Sequence, residues 1–246
     1  MLKRFNRDLL FLLILIAALP AAGRAEISLL ADLMKAPEAI VLVTSENASL
    51  SASPAPRVAG KTRAGQAILA RSVIPAKFTR KGTGIIVTAD GLVATNVHTI
   101  LQAARITVTL ANGSTFIAKP LRSDRAHDLA LLQIQGTGSL PFLRLADSSQ
   151  VKLNSRVFSV GGSPLLKNTI SEGKLSGIGQ KKTSAGPAAQ VPQVFQVSFD
   201  LYQGDSGSPV FNERAEVLGI ISASAQHRGK TSFAIPSYFI RELLES

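Results

Sequence analysis

The sequence predicts an all-β protein, a sandwich or barrel ending in one short helix, and three observations carry that expectation. Beyond Ser72, short runs rich in β-branched and apolar residues recur along the chain. Most are separated by turn signals such as Ala89-Asp90-Gly91, Ala111-Asn112-Gly113 and Gly136-Thr137-Gly138, whose glycines and Asx residues suit tight reversals. Gly136 to Leu140 then divides the strand-rich region into two halves of similar size. At 246 residues the chain is long enough for one large β domain or two small ones, with ample apolar material for a core.

The elements follow in order. Residues 1–25 carry Lys3, Arg4 and Arg7, an apolar run from Leu9 to Leu19, and small residues up to Ala25. That is the pattern of a secretory signal peptide cleaved after Ala25 or Gly23; a retained anchor is the alternative, although the apolar run is short for a bilayer span. Residues 26–38 form an N-terminal helical segment, with helical spacing over Leu29 to Lys35. Ala39 to Thr44 reads as the first strand, after Pro37. Within the first strand-rich unit, 39–136, a stretch at about 46–71 shifts to Ser, Ala, Pro and Gly with Arg57, Lys61 and Arg63. Such a composition buries little apolar surface and predicts a flexible basic loop.

Further strands are predicted at Gly84–Thr88, Leu92–Thr95, Ile106–Leu110, Thr115–Lys119 and Leu129–Ile134. The second unit, 137–246, adds Arg156–Val160, Lys174–Ile178, Val194–Phe199, Val217–Ser222 and Ser232–Ile235. Tyr238 to Leu244 is amphipathic, with Ser237 placed to cap the closing helix.

Composition narrows the chemistry. There is no cysteine, so thiol catalysis and thiolate metal sites are excluded, and an exported chain must be stable without disulfides, which fits bacterial export. Three histidines supply little material for zinc, and no metal or cofactor is expected. The formal charge is +11, and the leader accounts for little of it. This basicity suits a solvated surface or weak contact with an anionic envelope surface. No basic cluster interleaves with aromatics, so no nucleic acid partner is expected.

The run Gln203-Gly204-Asp205-Ser206-Gly207-Ser208-Pro209-Val210 holds a serine between glycines, flanked by two strand-like runs. Glycines at 204 and 207 permit a sharp turn and let a carbonyl approach the Gly204 and Ser206 amides, which makes Ser206 a candidate nucleophile. A Gly-Ser turn without chemistry is the alternative. A serine hydroxyl needs a base within hydrogen-bond reach and a third group to fix that base. His98 follows a predicted strand directly and is the best placed of the three histidines; His227 lies among Gln226, Arg228 and Lys230, and His127 precedes Asp128. Asp128 stands at the entrance of the apolar run Leu129 to Ile134, where a buried carboxylate needs a donor such as an imidazole N–H. Asp124 reads as a surface aspartate ending a loop.

With these residues assembled, the chain resembles the chymotrypsin-fold serine proteases, and in its local wording the HtrA/Deg branch. The resemblance lies in the order His98, Asp128, Ser206 and in five segments. These are Gly82 to Gly91 leading through Thr95-Asn96 to His98, Ser123-Asp124 with His127 to Leu132, Gly161 to Pro164 with Ser171 to Ser176, the serine loop, and Phe233 to Ser237. It implies two six-stranded antiparallel barrels, 39–136 and 137–246, with His98 and Asp128 from the first and Ser206 from the second. By the same resemblance His98 is the general base, Asp128 orients it, Ser206 attacks, and the Gly204, Asp205 and Ser206 amides form the oxyanion hole.

Several features depart from that branch. Asp205 stands where HtrA-type loops usually carry Asn, and Gly207-Ser208 where they carry Gly-Gly; Ser208 to Asn212 is instead similar to bacterial glutamyl endopeptidases. The chain ends at Ser246, soon after the helix, so no PDZ domain is expected. Asp200 lies six residues before Ser206, where trypsin-like enzymes hold the carboxylate that selects Lys or Arg. Ser222, Ala223 and Ser224 are expected to border the substrate pocket with small side chains. The expectation overall is an exported serine endopeptidase, periplasmic or secreted, acting on unfolded or envelope polypeptides. A catalytically silent binding or chaperone-like protein of the same fold is the alternative, and self-association is left open.

Overall fold

The structure is a computed structural model that describes residues 19–47, 58–61, 67–69, 78–136, 138–161, 169–182, 190–198, 204–222 and 232–246. The charged and apolar parts of the leader pattern, and most of the stretch at 46–71, lie outside the described residues. Helix α1 (Ala21–Lys35) leads through a 3-10 turn at Ala36–Ala39 into β1 (Ile40–Glu46). Two short strands, β2 (Val58–Lys61) and β3 (Ala67–Leu69), pair as a separate antiparallel sheet inside the expected loop. Then come β4 (Thr79–Ile86), β5 (Leu92–Asn96), the one-turn helix α2 (Val97–Ile100), β6 (Arg105–Thr109), β7 (Thr115–Asp124) and β8 (Leu129–Ile134). The second half contains β9 (Arg156–Val160), β10 (Ile170–Lys182), β11 (Gln190–Val197), β12 (Pro209–Phe211), β13 (Val217–Ser222) and β14 (Ser232–Pro236), followed by helix α3 (Ser237–Glu245).

Six strands close into one antiparallel barrel in the order β1-β4-β5-β8-β7-β6, and six into a second in the order β10-β11-β14-β13-β12-β9. The protein is thus mostly strand, in two closed six-stranded barrels with a short C-terminal helix. Closure pairs the backbone groups that an open sheet would leave along its edges. Along β1 the pleat sets Val41, Val43 and Ser45 fully inward and leaves the alternate positions half-buried. Nearly every position of β8 is buried instead. One face of β8 fills its barrel and the other meets α3, which explains the continuous apolar run from Leu129 to Leu132.

The two barrels share a core. One cluster joins Val43, Ile85 and Leu131 of the first barrel to Phe211, Ile220 and Ile235 of the second, and takes in Leu29 and Leu33 of α1 and Phe239 and Ile240 of α3. A smaller cluster, including Val157, Leu175, Phe195, Val210 and Ala234, fills the second barrel. Among the described residues, no helix is long and apolar enough to cross a membrane.

Some local readings are corrected. Strand β7 continues five residues past Lys119 to Asp124, through a register shift between Pro120 and Arg122. Proline cannot donate to a ladder, so a bulge there keeps the pairing with β8. Strand β12, three residues long, has too few positions to show a period in sequence and exists through its pairing with β9 and β13. Ser237 does not cap α3: its hydroxyl donates to the Ala146 carbonyl at 2.9 Å. The Tyr238 N–H of the first turn instead donates to Ser148 Oγ at 2.9 Å. Serine 237 is wholly buried, so its hydroxyl takes the nearest acceptor across the interior, and a serine far away in sequence does the capping.

Candidate active site

Strand β5 delivers His98 by running directly into the single turn of α2. Asn96, at the end of the strand, is fully buried, and His98, two residues on, is exposed. Opposite it, the β7–β8 connection places Asp128 in the left-handed region, at φ 56°. Aspartate tolerates this conformation better than most residues but is still strained in it, so neighbouring bonds must hold it. The Asp128 carbonyl accepts from Val97 N–H at 3.1 Å and from Asn96 Nδ2 at 3.2 Å. Its carboxylate takes two bonds from one residue: His98 N–H donates to Oδ1 at 2.9 Å, and His98 Nδ1 meets Oδ2 at 2.6 Å. An ionised carboxylate has no proton to give, so Nδ1 carries the proton and Nε2 keeps a free lone pair. The His98 side chain is 44% exposed and that of Asp128 20%. The imidazole therefore meets solvent while the group that orients it is shielded.

The serine loop is built on glycine conformations. Gly204 has φ 107° and Gly207 φ 88°, both closed to most side chains. The loop docks on the first barrel through Thr83 of β4. Thr83 N–H donates to the Ser206 carbonyl at 2.7 Å, and Thr83 Oγ1 donates to the Gly204 carbonyl at 2.9 Å. Thr95 Oγ1 in turn donates to the Thr83 carbonyl at 2.7 Å. From the other side β13 grips the loop, with Gly207 N–H donating to the Ile221 carbonyl at 2.7 Å and Ile221 N–H to the Ser208 carbonyl at 2.8 Å. Gly82 lies between the two halves of the site. A Cβ there would come within 2.9 Å of the Thr99 side chain, next to His98, and 3.4 Å of the Ser206 carbonyl oxygen.

His98 and Asp128 are thus directly bonded, and Ser206 is held against β4 of the same barrel by a main-chain bond. Among the described residues, no hydrogen bond links the Ser206 hydroxyl to the His98 ring, and the Gly204 and Ser206 amides have no acceptor. Asp205 is buried. Ser222, expected at the substrate pocket, donates its hydroxyl to Asp128 Oδ2 at 3.3 Å. Asp200, Ala223, Ser224 and His227 lie outside the described residues. Asn96 and Thr83 are additional positioning groups that residue-type reasoning missed. Both lie inside the motif segments quoted above, yet their bonds span 32 and 121 residues of sequence and leave no local signal.

Asp124 is not a loop aspartate. It ends β7, its Oδ1 accepts the Ala126 and His127 N–H groups at 2.9 and 3.2 Å, and its Oδ2 meets His127 Nδ1 in a short bond. Burial alone would raise the Asp124 carboxyl pKa; the hydrogen bonds from His127 outweigh it and hold the carboxyl below its ordinary value. Among the described residues, no group of three or more potential metal ligands occurs.

Residues 82–220 match the family model of the trypsin-like peptidase domain. A bovine relative, "Serine protease HTRA2, mitochondrial", is 34% identical over 163 residues, which cover 66% of this chain and 35% of that protein. A relative from Pseudomonas fluorescens, "Probable periplasmic serine endoprotease DegP-like", is 36% identical over 158 residues, covering 63% of this chain and 32% of that protein. A third, from Rickettsia prowazekii with the same name, is 32% identical over 169 residues, covering 67% and 33%. The chain spans about a third of the length of these curated relatives. With its two closed barrels and a family match running from β4 to β13, this chain belongs to the trypsin-like peptidase family and is HtrA/Deg-like within it.

Proposed function

We propose that the protein is an exported serine endopeptidase that cleaves unfolded or envelope polypeptides through Ser206, His98 and Asp128. The doubly bonded His98–Asp128 pair carries this reading, because it fixes the imidazole in the tautomer a general base requires. In the reaction His98 Nε2 takes the hydroxyl proton of Ser206 as Oγ bonds to the scissile carbonyl carbon. The carbonyl oxygen becomes an oxyanion, received by the Gly204 and Ser206 amides with Asp205 N–H beside them. Collapse breaks the C–N bond, and the imidazolium gives its proton to the leaving amine. Water, deprotonated by the same imidazole, then attacks the acyl carbon, and as the ester C–O bond breaks the imidazolium returns the proton to Ser206 Oγ, releasing the carboxylic acid.

Export to the periplasm or beyond is supported by the leader pattern at 1–25 and by the "periplasmic" in the names of the bacterial relatives. Asp200, Ser222, Ala223 and Ser224 are proposed to line the substrate pocket, with the Ser222 hydroxyl turned to Asp128 rather than to substrate.

One observation favours a second reading, a silent binding or chaperone-like protein: no Ser206–His98 hydrogen bond is formed among the described residues. Catalytic hydrogen bonds often tighten only once substrate is bound, so the endopeptidase reading stands first. A fluorophosphonate probe on the purified protein, beside Ser206→Ala, decides between them. Labelling that vanishes in Ser206→Ala, together with cleavage of an unfolded casein, is expected. Absence of labelling while casein stays intact would leave the silent reading.

A further inference from the structure

At the β7–β8 connection a second histidine–carboxylate pair packs on α3. His127 Nδ1 meets Asp124 Oδ2, and its ring stacks on Phe239 of α3, with centroids 3.7 Å apart and planes at 23°. The His127 side chain is 16% exposed, against 44% for His98. Phe239 is itself a fixed platform. It is 8% exposed and packs edge-on against Tyr238 at 5.3 Å. The end of its helix is tied to β7, because Arg122 donates to the Leu243 and Leu244 carbonyls at 3.0 and 2.7 Å.

The connection needs such support. His127 is joined through one peptide bond to Asp128, whose left-handed φ of 56° is strained. On that side of the turn, the bond from Asp128 N–H to the Arg125 carbonyl is long, at 3.4 Å. Rotation of the 127–128 peptide would therefore meet little resistance from the turn itself. Bolting the preceding side chain to Asp124 and Phe239 removes that freedom. The bonds at Val97 and Asn96 hold Asp128 from the front, and His127 holds it from behind.

We infer that His127, clamped between Asp124 and Phe239, is a positioning residue that sets the orientation of the Asp128 carboxylate and through it the His98 imidazole. This inference rests on the proposed role of His98 as general base. It assigns His127 no contact with substrate.

Three variants separate the two arms of the clamp. His127→Ala removes both arms, His127→Phe keeps the stacking without the Asp124 bond, and His127→Asn keeps a donor without the ring. The expected result is a kcat about tenfold to a hundredfold lower for His127→Ala on a peptide ester, with KM unchanged and partial recovery in His127→Asn or His127→Phe. Fluorophosphonate titration counts competent sites, so a loss that merely follows the fraction of folded protein is separated from a loss per site. A second readout does not need turnover: the NMR resonance of the His98 Nδ1 proton held in the 2.6 Å bond to Asp128, assigned with His98→Ala. That resonance is expected to move upfield or disappear in His127→Ala, since a misaligned Asp128 no longer accepts the proton at short distance. An unchanged Nδ1 resonance, or wild-type kcat per titrated site, overturns the clamp. If the wild-type protein is never labelled, the endopeptidase reading fails instead, and the Nδ1 resonance still decides whether His127 positions Asp128.

Discussion

Gly207 and Thr83 touch so closely that a single added carbon cannot fit between them: a Cβ on Gly207 would lie 1.8 Å from the Thr83 carbonyl oxygen. The contact is between two backbones of different barrels, so no flexible side chain can move aside. Thr83 is further committed, its N–H to Ser206 and its carbonyl to Thr95. Gly207→Ala therefore combines left-handed strain with overpacking, a cost of about 2–5 kcal/mol. Gly113 provides the control, having the same φ of 88° with nothing within 4 Å of its missing Cβ. Gly113→Ala should cost only the strain, about 1–2 kcal/mol. Urea unfolding of both variants checks this, and equal midpoints would show that the Thr83 contact yields easily.

Helix α1 is attached to the body of the protein in two physically different ways. Glu26 joins Glu172 and Glu213 around the Arg156 guanidinium at 2.9 to 3.3 Å, and Leu33 is wholly buried in the shared core. All four charged side chains are at least 36% exposed, where ion pairs contribute about 0–1 kcal/mol and are screened by salt. Emptying the Leu33 site costs about 2–5 kcal/mol. Leu33→Ala should thus lower the unfolding midpoint far more than Arg156→Ala does, and the effect of Arg156→Ala should shrink further in high salt. A larger effect for Arg156→Ala would mean that the charges, not the leucine, hold the helix.

The turn between β12 and β13 is expected to lose stability in acid. Asn212 Nδ2 and Arg214 Nε each donate to Glu216 Oε2 at 2.9 Å. The Asn212 bond first, then the Arg214 bond, with weaker help from the charges of Arg214 and Arg144, outweigh burial and hold the Glu216 carboxyl below its ordinary value. A carboxyl with a depressed folded pKa contributes stability above its unfolded pKa of about 4.3 and loses it as pH falls through the folded value. Between pH 5 and pH 3 the wild-type unfolding midpoint should therefore drop more steeply than that of Glu216→Gln. Parallel curves would place the acid sensitivity elsewhere.

How much of this was readable without coordinates depends on the range of the interaction. Alternation and turn residues reveal strands because their signal spans two to eight neighbouring positions, and β5, β6, β8, β9 and β13 stand within a residue or so of where they were expected. His98, Asp128 and Ser206 were legible as residue types in motif segments. The seat of the serine loop was not, since Thr83 reaches Gly204 across 121 residues and nothing near either one encodes it. Asp124 and Ser237 were misread for a related reason. Asp124 reads as a surface residue ending a loop but ends β7, which runs on past a bulge, and Ser237 reads as a cap but is buried against Ala146. Ser208 shows the same limit from another side: its departure from the family pattern was visible, but not that its hydroxyl is buried with no partner among the described residues.

The Asp128 carboxylate receives three donors, and their geometry ranks them. The two bonds from His98 are short, at 2.9 and 2.6 Å, while that from Ser222 is 3.3 Å. Replacing Asp128 by asparagine turns one acceptor into a donor. His98 then loses either its backbone bond or its Nδ1 partner, and the imidazole is no longer held in the tautomer that leaves Nε2 basic. Asp128→Asn should therefore lower kcat by about 10⁴-fold with the fold intact, the scale known for the same change in a Ser-His-Asp triad. Removing the Ser222 hydroxyl deletes one long bond, on the order of 1 kcal/mol, and Ser222→Ala should cost less than about tenfold in kcat. Steady-state kinetics on a peptide ester, normalised by fluorophosphonate titration, measure both. A Ser222→Ala loss as severe as that of Asp128→Asn would mean that the second barrel, rather than His98 itself, keeps Asp128 in place. A rise in KM with kcat unchanged would return Ser222 to the substrate pocket.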